Sequence, residues 1–384
     1  MRKGLGPLLR ELERRDAEER QQNTPREQRA RNIRPEVGQF LNLLVKVTRP
    51  RLIVEVGASN GYSTLWLADA AHDVGGHVIS FELRPDKQAE AQANLAAAGL
   101  ADVADVQLGD AHELIGATKG PFNLAFLDAE KDDYVPFADR LLPKLPAGGL
   151  LVADNILSHA ETQAYLDHLA ADPRLLTTVV PLGQGEAVTI KMNQPLPEAF
   201  LAVLKAHEER ARTHGGQDTT PREMGALLYT LARAGGARRI LEIGGGSGIA
   251  TAWLAQAARA NKGSVVSVER DTARVNQARR NLAAAGLTDV VDLQIGESDR
   301  LLPRLNGPFD LVFLDADLDD RLDDLDLVEP LVTPGALLLS AGHLTHGADL
   351  ASYTATVRSL PNLESLLLPV GSGLEMTWVV RKKG

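Results

Sequence analysis

The sequence predicts an α/β protein built twice over. Each of two tandem units is a mostly parallel sheet of seven strands, with helices on both faces and an antiparallel hairpin at one edge. Three observations carry this expectation. "NLAAAGL" stands at residues 94–100 and again at 281–287, 187 residues further on. The same spacing takes Gly57 to Gly244, Glu82 to Glu269, Asp128 to Asp315 and Gly148 to Gly335 without a gap, which marks an internal repeat of domain size. Within each repeat, apolar runs alternate with helical segments, the pattern of a parallel sheet covered on both faces.

The elements follow in order. Residues 1–34 interleave Arg with Glu and read as a solvated amphipathic helix whose Leu8, Leu9 and Leu12 pack on the body. "RLIVEVG" (51–57) reads as a buried strand, 62–72 as a helix, "HVISFE" (77–82) as a strand and 85–98 as a helix. "VADVQLG" (103–109), "FNLAFLD" (122–128) and "GLLVADN" (149–155) supply three more strands. "LLTTVVPL" and "EAVTIKM", joined by a Gly-containing turn, form the edge hairpin. The second copy repeats the plan through "RRILEIG", "SVVSVE", "VVDLQIG", "FDLVFLD" and "ALLLSAG". Two prolines in "MNQPLPEAF" (192–200) mark the junction, which divides the chain into domains 1–194 and 195–384. Each copy is large enough to hold its own core, which excludes a short-period solenoid.

Composition narrows the function. Apolar residues make up 44% of the 384, enough for packed cores. A net charge of −10 argues against a broad phosphate-binding surface and disfavours nucleic acid as a partner. With no cysteine, disulfides, thiolate chemistry and Cys-based zinc sites are excluded. The first twenty residues lack the apolar core of a signal peptide, and no apolar run approaches a membrane span, so the expected setting is soluble and cytoplasmic.

Ligands of open α/β sheets bind at the carboxyl ends of the strands. There, "VEVGASNGYST" (54–64) puts Gly57 and Gly61 in the turn after the first strand, where a ligand can approach the backbone at a helix N-terminus. Glu82 ends the second strand, placed to accept both hydroxyls of a ribose. The spacing is G-x-x-x-G, not the G-x-G-x-x-G of a dinucleotide site, so a dehydrogenase ranks last. Glu55, two places before the first glycine, would repel a pyrophosphate and suits an ammonium. S-adenosylmethionine carries an ammonium, a sulfonium and a ribose, and no phosphate.

With "IRPEVGQFLNLLVKVTRPRLIVEVGASNGYSTLWLA" the chain resembles the class I S-adenosylmethionine-dependent O-methyltransferases of the catechol / caffeoyl-CoA type, over nearly all of 30–192 and more loosely over 218–381. The resemblance implies two Rossmann-like methyltransferase domains. It implies that Glu55, Gly57, Ala58 and Ser63 line the methionine end of the cofactor, that Glu82 holds its ribose, and that Asp110 and Ala111 of "LGDAHEL" flank its adenine.

"LAFLDAEKDDY" (124–134) ends a strand in Asp128, and "LLVADNIL" (150–157) ends the next in Asp154-Asn155. Adjacent strand ends would gather these three oxygen ligands, a set that suits Mg²⁺, Mn²⁺ or Ca²⁺ and disfavours Zn²⁺. In the resembling family the matching residues hold a divalent cation, Mg²⁺ foremost, that chelates two vicinal oxygens of the substrate. Lys131 falls at the family's catalytic lysine, the acceptor of the hydroxyl proton. The expected activity is methyl transfer to a small catechol-like or hydroxycinnamoyl-like hydroxyl. RNA methylation and a non-catalytic cofactor-binding scaffold are the alternatives.

The second copy keeps Glu242, Gly244, Gly246, Gly248, Glu269 and Asp315, but Ala341, Gly342, Leu318 and Arg321 replace Asp154, Asn155, Lys131 and Tyr134. Cofactor binding remains open there, and metal-dependent transfer does not. "DADLDDRLDDLD" (315–326) lacks the glycine a calcium loop needs and reads as a solvated acidic helix start; His343 and His346 read as surface residues. Since family members pair as dimers, the resemblance implies a built-in pseudo-dimer of the two domains, open to further self-association.

Overall fold

The structure is a computed structural model that describes residues 2, 4–25, 28–158, 160–214 and 220–380. The chain divides into two compact units, Met1–Asn193 and Gln194–Gly384. In the first, helices α1 (Leu5–Gln21) and α2 (Pro35–Thr48) precede an alternation of β1 (Leu52–Val56), α3 (Tyr62–Val74), β2 (His77–Glu82), α4 (Pro85–Ala97), β3 (Ala104–Leu108), α5 (Ala111–Ala117), β4 (Leu124–Leu127), α6 (Tyr134–Leu141), β5 (Leu150–Ala153) and α7 (Thr162–Ala170). The hairpin β6 (Leu175–Val180) and β7 (Glu186–Lys191) closes the unit. Strand order is β3-β2-β1-β4-β5-β7-β6, with β7 antiparallel to both its neighbours. The expected seven-stranded, mostly parallel sheet with its edge hairpin is therefore present.

The second unit repeats it: α8 (Glu198–His214), α9 (Arg222–Ala234), β8 (Arg239–Ile243), α10 (Ile249–Ala260), β9 (Ser264–Glu269), α11 (Thr272–Ala284), β10 (Val291–Ile295), α12 (Ser298–Leu301), β11 (Phe309–Leu314), α13 (Arg321–Val328), β12 (Val332–Ala341), α14 (Ala351–Ser359), β13 (Leu363–Leu368) and β14 (Leu374–Val379). Its sheet runs β10-β9-β8-β11-β12-β14-β13, the same order.

Local chemistry explains the elements. The central strands are buried on both faces, so they read as apolar runs instead of alternating ones: every residue of β4 and β5 is buried. Pro35 and Pro85 open α2 and α4, where a missing N–H is harmless. Asp110 caps α5 by accepting from the backbone N–H of His112, and Asp271 caps α11 through Ala273 and Arg274. Each unit has its own apolar core, around Val54, Phe81, Phe122 and Leu127 in the first and Leu241, Phe309, Val312 and Leu338 in the second. No helix among the described residues is long and apolar enough to cross a membrane.

Helix α1 differs from expectation in its stripe. Leu5, Leu9 and Leu12 are buried, whereas Leu8 is only half covered. Positions 5, 9 and 12 share one face at helical spacing, and Leu8 falls beside it. The helix is also tied down: the Tyr62 hydroxyl donates to Glu13 at 2.7 Å, and Arg15 pairs with Glu90.

Candidate functional site

The strand-end turn after β1 sits tightly on its neighbour. Gly57 has φ +100°, and a Cβ there would come within 2.3 Å of the Asp128 carbonyl oxygen, so only glycine fits. The backbone amides of Gly57 and Ala58 bond the Phe81 carbonyl, which locks the turn to the end of β2. One residue later, Glu82 is held from both sides: Oε2 accepts from Ser59 N at 2.7 Å and Oε1 from Arg84 N at 2.9 Å. A carboxylate fixed by two backbone amides is pre-oriented for a ligand that brings hydroxyls.

A cavity of about 540 Å³ opens here, walled by Gly57, Ser59, Glu82, Asp110, Ala111 and Asp128 among others. Five of the predicted site residues thus share one space: Gly57, Glu82, Asp110, Ala111 and Asp128. Glu55, Ala58, Gly61 and Ser63 lie off its wall. Glu55 is fully buried beneath the turn, its Oε2 accepting from Thr64 and Ser80 hydroxyls at 2.5 and 2.6 Å, while Oε1 has no partner. Burial pushes its pKa up to about 6; the nearby Ser63, Ser80 and Thr64 hydroxyls hold it back and the Asp128 charge adds to the rise. Gly61, at φ +83°, serves as the N-cap of α3. The segment before α2 covers one side of the cavity. Arg29 and Arg31 line it, the Ser59 hydroxyl donates to the Ala30 carbonyl at 2.5 Å, and Ala30 N bonds Glu19.

Asp128 and Asp154 lie side by side because the register pairs Leu127 with Ala153, and Asp154 N bonds the Leu127 carbonyl at 3.0 Å. Burial raises the pKa of Asp128 to about 6, the Asp154 carboxylate raises it further, and Lys131 opposes both. Lys131 Nζ sits 3.3 Å from Asp128 Oδ1 and donates to the Tyr134 hydroxyl at 2.5 Å. That hydroxyl also reaches the carbonyls of Leu127 (3.0 Å) and Asp154 (3.1 Å). Asn155 adopts φ +65°, a left-handed conformation that asparagine tolerates, and its amide N–H donates to Asp154 Oδ1 at 2.6 Å. Asp154, Asn155 and Lys131 do not wall the 540 Å³ cavity. Among the described residues, no three His, Cys, Asp or Glu side chains are spaced to hold an ion; Asn155 stands outside that set.

One buried acid was not foreseen. Glu186, at the start of β7, is wholly buried with neither carboxylate oxygen in a hydrogen bond. Burial and then the Asp154 charge push its pKa well up, so it extends the same carboxylate cluster. A charged residue opening an otherwise buried strand was the available signal.

In the second unit the same positions carry different chemistry. Glu269 is held like Glu82, accepting from Gly246 N and Asp271 N at 2.8 Å each. Arg321, only 1% exposed, stands at the position of Tyr134. Its Nη1 donates to the carbonyls of Leu314 and Ala341 and to Ser340 Oγ, and its Nη2 to Ala316 O. Leu314 and Ala341 are the counterparts of Leu127 and Asp154. The guanidinium therefore takes over the tyrosine's contacts and brings a fixed positive charge. Gly342, at φ +96°, keeps the left-handed turn of Asn155 without its amide. Two expectations are overturned here. His343 is not a surface residue: it is 6% exposed and bonded to Ser340 and Thr354 at 3.0 Å each, because the chain after β12 folds it inward, whereas His346 is exposed. The acidic helix start is not wholly solvated either, since α13 turns Asp324 inward to 1% exposure.

An open parallel sheet with a glycine turn, a doubly held carboxylate on the next strand and paired acids at adjacent strand ends defines a class I methyltransferase fold. A family model described as O-methyltransferase matches residues 7–192, and one described as methyltransferase domain matches residues 241–340. The catechol O-methyltransferase of Niastella koreensis is 33% identical over 146 residues, covering 37% of this chain and 64% of that protein. Caffeoyl-CoA O-methyltransferase 1 of Eucalyptus globulus is 30% identical over 172 residues, 38% of this chain and 70% of that protein. The chain thus spans slightly less than two thirds of the first relative's length and slightly more of the second's. A solved O-methyltransferase from Bacillus cereus in complex with SAH shares 26% identity, covers 48% of this chain and 90% of its own, and superposes with a TM-score of 0.43. The chain belongs to the class I S-adenosylmethionine-dependent O-methyltransferases, the group that holds the catechol and caffeoyl-CoA enzymes.

Proposed function

We propose that the first unit transfers a methyl group from S-adenosylmethionine to a hydroxyl of a small catechol-like or hydroxycinnamoyl-like acceptor, with a divalent cation, Mg²⁺ foremost, at Asp128, Asp154 and Asn155. The observation that carries the reading is the pair of acids at neighbouring strand ends, beside the Lys131–Tyr134 bond and at the same sheet end as Glu82. Half-buried Asp128 and buried Asp154 repel each other, with a third acid, Glu186, beside them, and such a cluster favours a bound cation. The donors are all oxygen, which suits a hard ion.

When bound, the cofactor supplies an electrophilic methyl group and the cation supplies charge to stabilise the acceptor's oxyanion. The chain's own residues do the rest. Glu82 takes the ribose hydroxyls, and Asp110 and Ala111 meet the base. Glu55, under the turn, positions the backbone and orients charge toward the cofactor's ammonium. Lys131 Nζ, as the neutral amine, would take the acceptor's hydroxyl proton and become the ammonium, with Tyr134 fixing its direction. The second unit, with Ala341, Gly342 and Arg321 at the matching places, performs no metal-assisted transfer.

Incubation of the full chain with labelled methyl donor and a panel of ortho-dihydroxy compounds tests this. Label should pass to the acceptor with Mg²⁺ and stop with EDTA. Transfer that ignores the chelator would remove the cation from the mechanism.

A further inference from the structure

The second unit holds a larger cavity, about 930 Å³, at the same strand ends. One end of it is unchanged: Glu269 is held by two backbone amides as Glu82 is. The other end is rebuilt. In the first unit the wall beyond Asp110 and Ala111 is a ring stack, His112 on Phe137, with centroids 4.3 Å apart and planes 13° apart. Exposed Leu83 adds an apolar edge. At the matching positions the second unit has Asp299, which lies off the wall, and Asp324 and Arg270, which line it, and Ser298 replaces Ala111. Apolar cover for a flat base has been exchanged for charge.

Asp324 is the informative residue. It lines the cavity, yet it is 1% exposed, and neither carboxylate oxygen has a hydrogen-bond partner. Burial pushes the Asp324 pKa up, and the nearby Ser298 hydroxyl and Arg321 hold it back. A buried acid with both oxygens unsatisfied is costly unless a ligand supplies donors. The Nη1 and Nη2 groups of Arg321 are committed to four acceptors, and its buried Nε has no partner. Arg270 is committed to Asp317 across the mouth.

We propose that this cavity is a ligand site of its own, for a ribonucleoside-type molecule whose base edge presents adjacent N–H donors, guanine-like and not adenine-like, with the ribose diol on Glu269 and the donors on Asp324. The diol assignment rests on the ribose reading of Glu82 above; the base assignment rests on Asp324 alone. A carboxylate offers only acceptors. Guanine meets it with a ring N–H and an exocyclic amine, whereas adenine turns a ring acceptor toward it, a repulsive pairing. No divalent ion is required, because Arg321 already neutralises the strand-end carbonyls.

The test is calorimetric titration of the full chain, first saturated with SAH, with guanosine, adenosine and 2′-deoxyguanosine. Guanosine should bind at one site per chain, about tenfold or more tighter than the other two. Asp324→Asn should remove that preference by at least a comparable factor, and Asp324→Phe, which installs the first unit's residue, should abolish guanosine binding. The deoxynucleoside comparison needs no variant and so holds even if a substitution disturbs folding. Absence of guanosine binding, or binding that is equal for adenosine or indifferent to Asp324→Asn in a folded chain, overturns the proposal. Binding of SAH to the first unit, removed by Glu82→Ala, is a separate readout. Its failure would sink the cofactor reading and leave the guanosine result to stand or fall by itself.

Discussion

The two units share a backbone at their strand ends and differ in what neutralises it. In the first, Lys131 stands between the Asp128 carboxylate and the Tyr134 hydroxyl, and that hydroxyl meets the strand-end carbonyls. In the second, one arginine stands at the tyrosine's place and donates to the carbonyls directly. Gly342 preserves the turn that Asn155 makes, so the side chain was lost while the conformation stayed. The difference teaches that the fold's geometry at this place does not depend on the ligand set. The sheet register sets it, and the register is the same in both units.

Experiments that break this comparison fall in order of expected size. Asp154→Ala gives the first unit the residue the second already has at 341. Labelled-methyl turnover should fall by about a thousandfold, in line with the loss of a stabilised oxyanion. Undiminished turnover would place the active centre elsewhere. Next, Arg321→Met should destabilise the second unit by about 3 kcal/mol, because the carbonyls of Leu314 and Ala341 lose their donor inside the protein. Tyr134→Phe in the first unit should cost about 1 kcal/mol, one hydroxyl's share. Urea unfolding with a probe in each unit reads both, and equal losses would erase the distinction.

A third contrast is in pH. Burial pushes Glu242 to about 7 from the ordinary 4.5, further than Glu55 at about 6, since Ala250 stands where Ser63 helps hold Glu55 down. A folded-state pKa above the unfolded one means the folded unit holds its proton more tightly. Stability is then complete below about pH 4.5 and is lost as pH rises toward 7, by up to ~3 kcal/mol. Urea midpoints measured at about pH 5 and about pH 8 should converge in Glu242→Gln, and the matching change in Glu55→Gln should be smaller. Smallest of all, Gly342→Asn should shift stability by less than about 1 kcal/mol, because asparagine already occupies that left-handed turn at 155. A larger loss in thermal unfolding would show that the two turns are not equivalent.

Much of this was legible in the residues. The repeat, the seven strands of each sheet and the hairpin follow from apolar runs and a constant 187-residue spacing, and the adjacency of Asp128 and Asp154 follows from strand order. Gly57, Glu82, Asp110, Ala111 and Asp128, singled out from the sequence, line one cavity. What stayed hidden depends on which way a side chain turns once packed. Glu55 reads as a wall residue but lies beneath the turn, because β1 points it into the sheet's neighbours. Asp324 looks like an ordinary solvated acid in sequence, and only the packing around it shows it dry. His343 is drawn inward by Ser340 and Thr354, partners it meets only after the chain folds back. Leu8 lost its place in the stripe to Leu5 by one step of helical phase.

The Ser59–Ala30 hydrogen bond ties the glycine turn to a segment that arrives from outside the sheet. Through Ala30 and Glu19 that segment is fastened in turn to α1. The turn and the leading helix are therefore mechanically one part, so loosening α1 at Glu19 loosens the anchorage of Ser59.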